Sequence, residues 1–371
     1  MYYNTFQIHN PQKLGKVLIM LQSMKDSSSI MRLLMFGAGV VIIVAGLKAF
    51  ADVLSPAIMA VFFSLLCVPL YQWLQRKGLG SGLALLVMVL LLLAIFIGLG
   101  WLVMSSFTVL LETLPTYTAN MQAEVGNIAH SVSGLLDAEQ VQRVGNDVVA
   151  LLSGMARGGL TTAVNLVAVG LVILVLLVFI ISESSKYPAR LKRGLGEDNE
   201  LLSNVNDFRD SLIHYFVARI KVNTVTGVGV LIMLLVAGVD AALLWAVLAI
   251  FLSFIPYFGL IIAAAPAVIL AFAQFGLPMA VAIAVGYLII NQIIEQVVAP
   301  KVIADDISLS PAVTFFALFF WGWVFNFLGV MLAAPLTVLV IMILSNYPET
   351  RWLAIMATAD EGKEKEKEGG D

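Results

Sequence analysis

Long apolar segments with almost no charged residues follow one another along most of this 371-residue chain. Five of them are continuous and lie at about residues 33–50, 54–74, 83–104, 161–181 and 222–239. A stretch of about 20 apolar residues forms a helix long enough to cross a bilayer. Charged residues make up only 12% of the chain, whereas soluble domains carry about a quarter. The sequence therefore predicts an all-α polytopic membrane protein, with the lipid bilayer as its first partner.

An arm outside the lipid is predicted at residues 105–159, between the third and fourth apolar segments. Apolar residues recur there every three or four positions, which is typical of a helix with one buried face. They are Leu110, Leu114, Tyr117, Met121, Val125, Ile128, Val132 and Leu135, followed by Val141, Val144, Val148, Leu151, Leu152 and Met155. Asp137 is the expected N-cap of the second helix, with Gln140 at position N3. The arm packs on itself, on the membrane surface or on a neighbouring subunit, and the sequence leaves these alternatives open.

Charge sets the predicted topology. Residues 183–221 follow the fourth span at 160–182 and carry seven lysine and arginine residues, whereas the arm is acidic. Because positive charge stays in the cytoplasm, this basic loop is predicted inside and the arm outside. The tail of residues 1–32 is then cytoplasmic, and residues 33–104 hold the first three spans. Asp240, which ends the fifth span, is the expected N-cap of the next helix.

Two further apolar segments, residues 241–273 and 311–344, are interrupted by glycine and proline. The residues expected at or near the breaks are Pro256, Gly259, Pro266, Gly329 and Pro335. The segments resemble each other, because SFIPYFG at 253–259 and WVFNFLG at 323–329 are each followed by an alanine-rich stretch ending in proline. Paired interrupted segments of this kind are typical of a transporter's binding site. They flank an apolar helix at 279–300, and residues 222–347 are therefore the predicted transport core.

The number of membrane segments depends on how the interrupted segments run. If each of the last three segments crosses once, the chain has about eight membrane segments and a cytoplasmic C-terminus. Each of the two interrupted segments either crosses the membrane once or enters and leaves it on the same side. The sequence does not decide between crossing and re-entry. Residues 348–371 alternate lysine and glutamate near their end and are predicted to be a charged, disordered tail.

The helix predicted at residues 279–300 carries a polar patch near its end. On a helix that turns about 100° per residue, Asn291, Gln292, Glu295 and Gln296 occupy one sector of about 140°. Polar side chains at bilayer depth are costly and face a protein interior or a watery cavity. Two interpretations stay open: a helix end that enters the lipid headgroups, or part of a solute path to which Asn326 also contributes. Glu295 either finds a partner on another element or binds protons and water in that path.

No motif in the chain points to catalysis, a metal or a cofactor. The single cysteine, Cys67, lies in an apolar run, and the three histidines are scattered along the sequence. No nucleotide-binding or metalloprotease motif is complete. We therefore predict a protein that is not an enzyme and that binds no nucleic acid, cofactor or metal.

Three passages carry a resemblance to a known family. They are residues 54–70 with prolines near both ends, residues 254–259 (FIPYFG), and the group PKVI at 300–303, LSP at 309–311, WGW at 321–323 and AAPL at 333–336. In these passages the chain resembles the AI-2E family of bacterial transporters, over about residues 31–347. It departs from the family pattern at Ala304 and Asn326, where glycine is frequent, and at Leu260, where proline is frequent. The resemblance implies a multi-pass protein of the bacterial inner membrane and favours a homo-oligomer, with a pentamer as one arrangement.

Three functions remain in consideration. The first, which the resemblance implies, is gradient-driven export of a small polar solute such as the quorum-sensing signal autoinducer-2. The amides of the polar patch both donate and accept hydrogen bonds, which suits a hydroxyl-rich ligand. The second is sodium (or other cation)/proton antiport with Glu295 as the proton carrier, because a buried carboxyl group is protonated more easily. The third is a non-transporting membrane scaffold built on the arm.

Overall fold

The computed structural model describes residues 31–357, except 32–33, 36, 132–136, 185, 188–189, 191–192, 194–199, 303–308, 346 and 348–349, and without the side chains of residues 138 and 200–208. The chain divides into two compact units, Met1–Asp52 and Val53–Asp371. In the first unit the described residues form one short apolar helix, α1 (Gly37–Ala49). Most of the predicted cytoplasmic tail, 1–32, lies outside the described residues.

The rest of the described chain is built from helices. In chain order they are α2 (Ala51–Arg76), α3 (Ser81–Ser131), α4 (Ala138–Glu183), α5 (Glu200–Ala237), α6 (Ala242–Leu252), α7 (Gly259–Phe275), α8 (Leu277–Ile293), α9 (Pro311–Met331), α10 (Ala333–Ser345) and α11 (Arg351–Ala357). After Ile293, α8 continues through a π turn, Ile294–Val298, into a last helical turn, Ala299–Val302. Helix α11 lies in the part of the chain predicted to be a disordered tail, so that prediction is wrong for Arg351–Ala357. There the backbone is held, since Ser310 N donates to Ala357 O at 3.1 Å.

Six helices among the described residues are long and apolar enough to cross a membrane: α2, α3, α4, the Arg209–Ala237 part of α5, the Leu277–Val302 run and α9. Four shorter apolar helices accompany them, namely α1, α6, α7 and α10. This is the architecture of an all-helical polytopic membrane protein.

Helices α3 and α4 run without interruption from their membrane segments into the arm. With 51 and 46 residues, they are about 77 and 69 Å long at 1.5 Å per residue, far beyond the roughly 30 Å hydrocarbon core. The sequence predicts arm helices separate from the third and fourth spans. In the structure each arm helix is instead continuous with its span. The amphipathic pattern changes near Ser105, but no residue there stops a helix.

The arm packs on itself, which is one of the three alternatives left open above. Its buried stripe on α3 is Phe107, Leu110, Leu114, Tyr117, Met121 and Val125. The two ends of this stripe lie against α4, where a Cβ atom on Gly159 would overlap the Phe107 ring and a Cβ atom on Gly145 would overlap Val125. Asp137 caps α4, because its side chain accepts from Glu139 N at 3.0 Å, and this prediction is confirmed.

Helices α5 and α8 lie side by side and antiparallel. Near one end Val222 shares a cluster with Ile294, and farther along a Cβ on Gly229 would lie 3.7 Å from Ile290. This pairing places the polar end of α8 beside the part of α5 that precedes Asn223.

The interrupted segment at 241–273 folds back on itself. Helix α6 has 11 residues and is about 17 Å long, too short to cross the roughly 30 Å hydrocarbon core. The start of the segment and the end of α7 meet, because Asp240 N donates to Gln274 Oε1 at 3.1 Å. They meet beside the arm, where Asp240 also contacts Tyr117. The α6–α7 segment is therefore a helical hairpin.

The second interrupted segment folds back as well. Trp321 Nε1 on α9 donates to Thr337 Oγ1 on α10 at 3.0 Å. The start of α9 lies beside α11, which follows α10. Two helical hairpins thus flank α8 in the sequence, and each contains one break.

Asp240 does not cap α6, contrary to the prediction. The N-cap of α6 is Ala241, in the left-handed conformation with φ 54°. The Asp240 carboxylate instead accepts from the Tyr117 hydroxyl of the arm. Tyr117 lies 123 residues away in the sequence, so no local sequence pattern shows this contact.

Candidate functional site

Both hairpins break at a residue with positive φ followed by a tightly packed glycine. Tyr257 has φ 66°, and a Cβ on Gly259 would overlap the Leu252 carbonyl oxygen at the end of α6. In α9 the helix is interrupted at Phe325 and at Asn326, with φ 55° and ψ −142°. A Cβ on Gly329 would overlap the Trp321 carbonyl oxygen. Each glycine thus lets the chain return against the backbone of the helix it has just left.

Two of the prolines expected at the breaks do not break a helix. Pro266 is buried inside α7, which continues through it. A proline costs one backbone hydrogen bond, and here the packed surroundings keep the helix in place. Pro335 lies in the first turn of α10, where its missing amide hydrogen has no partner within the helix anyway.

Side chains from neighbouring helices bind the backbone carbonyls freed at the breaks. Asn223 Nδ2 on α5 donates to Ile250 O at 3.2 Å. Ser55 Oγ on α2 donates to Phe325 O at 3.5 Å. Asn223 is 1% exposed and Ser55 is 7% exposed, so both act inside the protein. Neither was among the predicted site residues, although a polar residue within an apolar run is the signal that would have found them.

The predicted polar patch lies at the far end of α8. Asn291 is half-buried, whereas Gln292, Glu295 and Gln296 are exposed on the chain's own surface. Glu295 lies in the π turn, in which Ala299 N bonds to Ile294 O. Because a π turn adds a residue to the helical turn, the sector calculated at 100° per residue does not hold beyond Ile293. Such turns are frequent at functional sites.

Arg219 on α5 is the partner of Glu295. Its Nη1 lies 3.7 Å from Glu295 Oε1, and the side chains are 10% and 51% exposed. Arg219 Nε has no hydrogen-bond partner among the residues that the structure describes. The sequence predicts Arg219 in the basic cytoplasmic loop, but it lies in α5 and faces the protein interior.

A signal in the sequence could have identified Arg219. Arg219, Asn223 and Thr226 are spaced by four and three residues, so that they share one face of α5. All three are buried. The face that they form is polar at the end nearest the π turn of α8.

Asn326 and Glu295 have different neighbours. The break at Asn326 lies beside α2, through Ser55, whereas Glu295 lies beside α5. The contacts therefore build the site around the Arg219–Glu295 pair and the amides of α8. No group of three or more metal-binding side chains occurs in the part of the chain that the structure describes.

The chemistry of this site is that of reversible binding to polar groups. The guanidinium group supplies donors, the carboxylate supplies acceptors, and the Asn291 and Gln292 amides supply both. A buried arginine on α5 and a half-exposed glutamate at the end of α8 can bind a polar solute reversibly.

Comparison with known proteins agrees with this architecture. Residues 33–349 match the model of the AI-2E transporter family. The chain is 27% identical to the AI-2 transport protein TqsA of Escherichia coli K12, over 85% of this chain and 92% of TqsA. It is 26% identical to the protein YhhT of the same strain, over 83% of this chain and 88% of YhhT. A protein of Haemophilus influenzae Rd is 24% identical over 88% of this chain and 96% of its own length. The family match covers most of the chain, and this protein therefore belongs to the AI-2E family of membrane transporters.

Proposed function

We propose that this transporter exports a small, hydroxyl-rich solute down its gradient, along a path that passes the Arg219–Glu295 pair. The observation that carries the proposal is the pair itself, which joins α5 to α8 at 3.7 Å. That distance is longer than a hydrogen bond, so both groups keep capacity for a ligand. The relative TqsA is named as a transport protein for AI-2, which supports a small polar solute of that kind.

The donors and acceptors match a polyol. Arg219 has five N–H donors, and its Nη1 lies 3.7 Å from Glu295 Oε1, so the guanidinium group keeps donors for a ligand. Glu295 is half-exposed, so its carboxylate accepts from a solute without first leaving a closed cavity. A hydroxyl group donates to the carboxylate and accepts from the guanidinium, and the amides of Asn291 and Gln292 do both.

Cation/proton antiport is the alternative that this geometry favours less. Glu295 would have to carry the proton or the cation. Arg219 already provides its counter-ion, so an incoming cation would have to displace a guanidinium group tethered in the protein. Solute binding requires no such displacement.

The proposed topology follows from the two hairpins. If α6–α7 enters from the arm side and α9–α10 from the other side, eight membrane segments result, two of them re-entrant. Both termini are then in the cytoplasm and the arm is outside the bacterial inner membrane. We further propose that the protein works as a homo-oligomer.

Flux through reconstituted vesicles tests this function. Vesicles containing the purified protein are loaded with autoinducer-2, and its efflux is followed with and without sodium and pH gradients. We expect saturable efflux without any ion gradient, and a lower rate at every pH for Glu295→Gln. Sodium-driven proton movement without solute would instead establish the antiporter. If neither solute nor ions move, the protein is a non-transporting membrane scaffold instead.

A further inference from the structure

We propose that the arm holds the α6–α7 hairpin at both of its hinges, through Tyr117 and Glu124, and so sets the position from which the hairpin works. The two hinges are the links that join the hairpin to its neighbours, residues 238–241 before α6 and Gly276 after α7. This role goes beyond the proposed export function, because it makes the arm a positioning element of the transport core.

The first hinge is bound to the arm through Asp240. Its carboxylate accepts from the Tyr117 hydroxyl on α3. Its backbone amide donates to Gln274 Oε1 on α7, and its carbonyl accepts from Trp245 Nε1 on α6, both at 3.1 Å. One residue, Asp240, therefore joins the arm to both helices of the hairpin.

The second hinge lies under the carboxylate of Glu124. Gly276 has φ 79°, a conformation that favours glycine. A Cβ atom at Gly276 would lie 2.8 Å from Glu124 Oε1, so the carboxylate occupies the space where any other residue would place its side chain. The turn and the close approach both require glycine here.

The arm reaches the two hinges with a single face. Tyr117 and Glu124 are seven residues apart, which is about two helical turns and 10.5 Å along α3. Both hinges contain backbone in the left-handed region, at Gly238 (φ 71°), Ala241 (φ 54°) and Gly276. For a non-glycine residue such as Ala241 this conformation persists only where the surroundings enforce it. The arm supplies part of that enforcement.

The hairpin acts as a lever on the solute path. Helix α7 is about 25 Å long at 1.5 Å per residue, so a rotation of about 10° at the hinges moves the break by roughly 4 Å. Near the break, Ile250 O is bound to Asn223, which lies one turn beyond Arg219 on α5. Movement allowed by the arm is thus transmitted to the neighbourhood of the Arg219–Glu295 pair.

Hydrogen exchange in the purified full-length protein tests the proposal without any solute. The variants are Tyr117→Phe, Asp240→Ala and the double variant. The control is Tyr347→Phe, at an exposed tyrosine. We expect the amides of residues 238–241 and Gly276 to exchange about tenfold faster or more in each variant, because a hydrogen bond to a charged group is lost. The double variant should show no further increase, since both changes remove the same bond.

Transport supplies the second readout. In vesicles, Tyr117→Phe should change the maximal rate of autoinducer-2 efflux and leave the half-saturating concentration unchanged, because the solute site is intact. Exchange at both hinges no faster than in Tyr347→Phe overturns the proposal. Uniformly faster exchange along the chain also overturns it, since that result assigns Tyr117 to general stability. Failure of the export function alone leaves the hinge measurement fully interpretable.

Discussion

Removing one partner of the Arg219–Glu295 pair should destabilise the protein more when the glutamate is replaced than when the arginine is. In Glu295→Gln, a guanidinium group with a side chain only 10% exposed keeps its charge beside a neutral amide. Removing one partner of a fully buried pair costs about 3–5 kcal/mol. Because Glu295 is half-exposed, screening by solvent lowers this to roughly 1–3 kcal/mol. In Arg219→Gln, the remaining carboxylate reaches solvent, and the electrostatic cost is about 0–1 kcal/mol.

The single cysteine provides the assay. Cys67 is half-buried in α2, so a thiol-reactive fluorophore reports its exposure as the detergent-solubilised protein unfolds on heating. The matched control is Glu139→Gln, which removes an acidic partner at the same 3.7 Å from Arg143 in a pair with both side chains at least 70% exposed. We expect melting temperatures in the order Glu139→Gln, Arg219→Gln, Glu295→Gln, from highest to lowest. A lower melting temperature for Arg219→Gln than for Glu295→Gln would refute the reasoning, and so would equal values for Glu295→Gln and Glu139→Gln.

Three further predictions concern the breaks and the arm. Asn223→Ala leaves the Ile250 carbonyl without its buried donor and should cost about 1–3 kcal/mol in the same melting assay; an unchanged melting temperature would show that this carbonyl finds another partner. Gly329→Ala places a Cβ atom on a backbone carbonyl oxygen and should abolish efflux, and normal efflux would mean that the break relaxes. Cysteines introduced at Gln122 and at Gln142 on the arm should react with an impermeant thiol reagent in intact cells, whereas labelling only after lysis would reverse the proposed topology.

The sequence predicts the helical class and the location of the breaks because each depends on local properties. Apolar length decides which segments suit a membrane, and the paired SFIPYFG and WVFNFLG motifs mark where glycine allows the backbone to approach itself. The direction of the chain after each break is not local. It goes with contacts between residues far apart in sequence that no periodicity connects, such as Asp240 with Gln274 in the first hairpin and Trp321 with Thr337 in the second.

Of the two residues that form the central ion pair of the candidate site, the sequence predicts only Glu295. Glu295 is conspicuous because it is an acidic residue in an apolar helix, and the sequence shows that its partner lies on another element or in the path itself. Arg219 was hidden among other basic residues, since a cation near a helix end is usually explained by the positive-inside rule. The π turn around Glu295 also escaped prediction, because periodicity is calculated with a constant angle and a π turn departs from it.

The most direct test of the solute path is protection by the solute of a cysteine beside the Arg219–Glu295 pair. In a Cys67→Ser background, Gln296→Cys, which lies next to Glu295 in the π turn and leaves the pair intact, is reconstituted, and its rate of reaction with a small thiol reagent is measured with increasing autoinducer-2 and with increasing sodium. We predict that autoinducer-2 slows the reaction with a saturable dependence on concentration, and that sodium at equal ionic strength has no effect. A reaction rate that autoinducer-2 leaves unchanged, or that sodium alone lowers, would contradict a solute path at the Arg219–Glu295 pair.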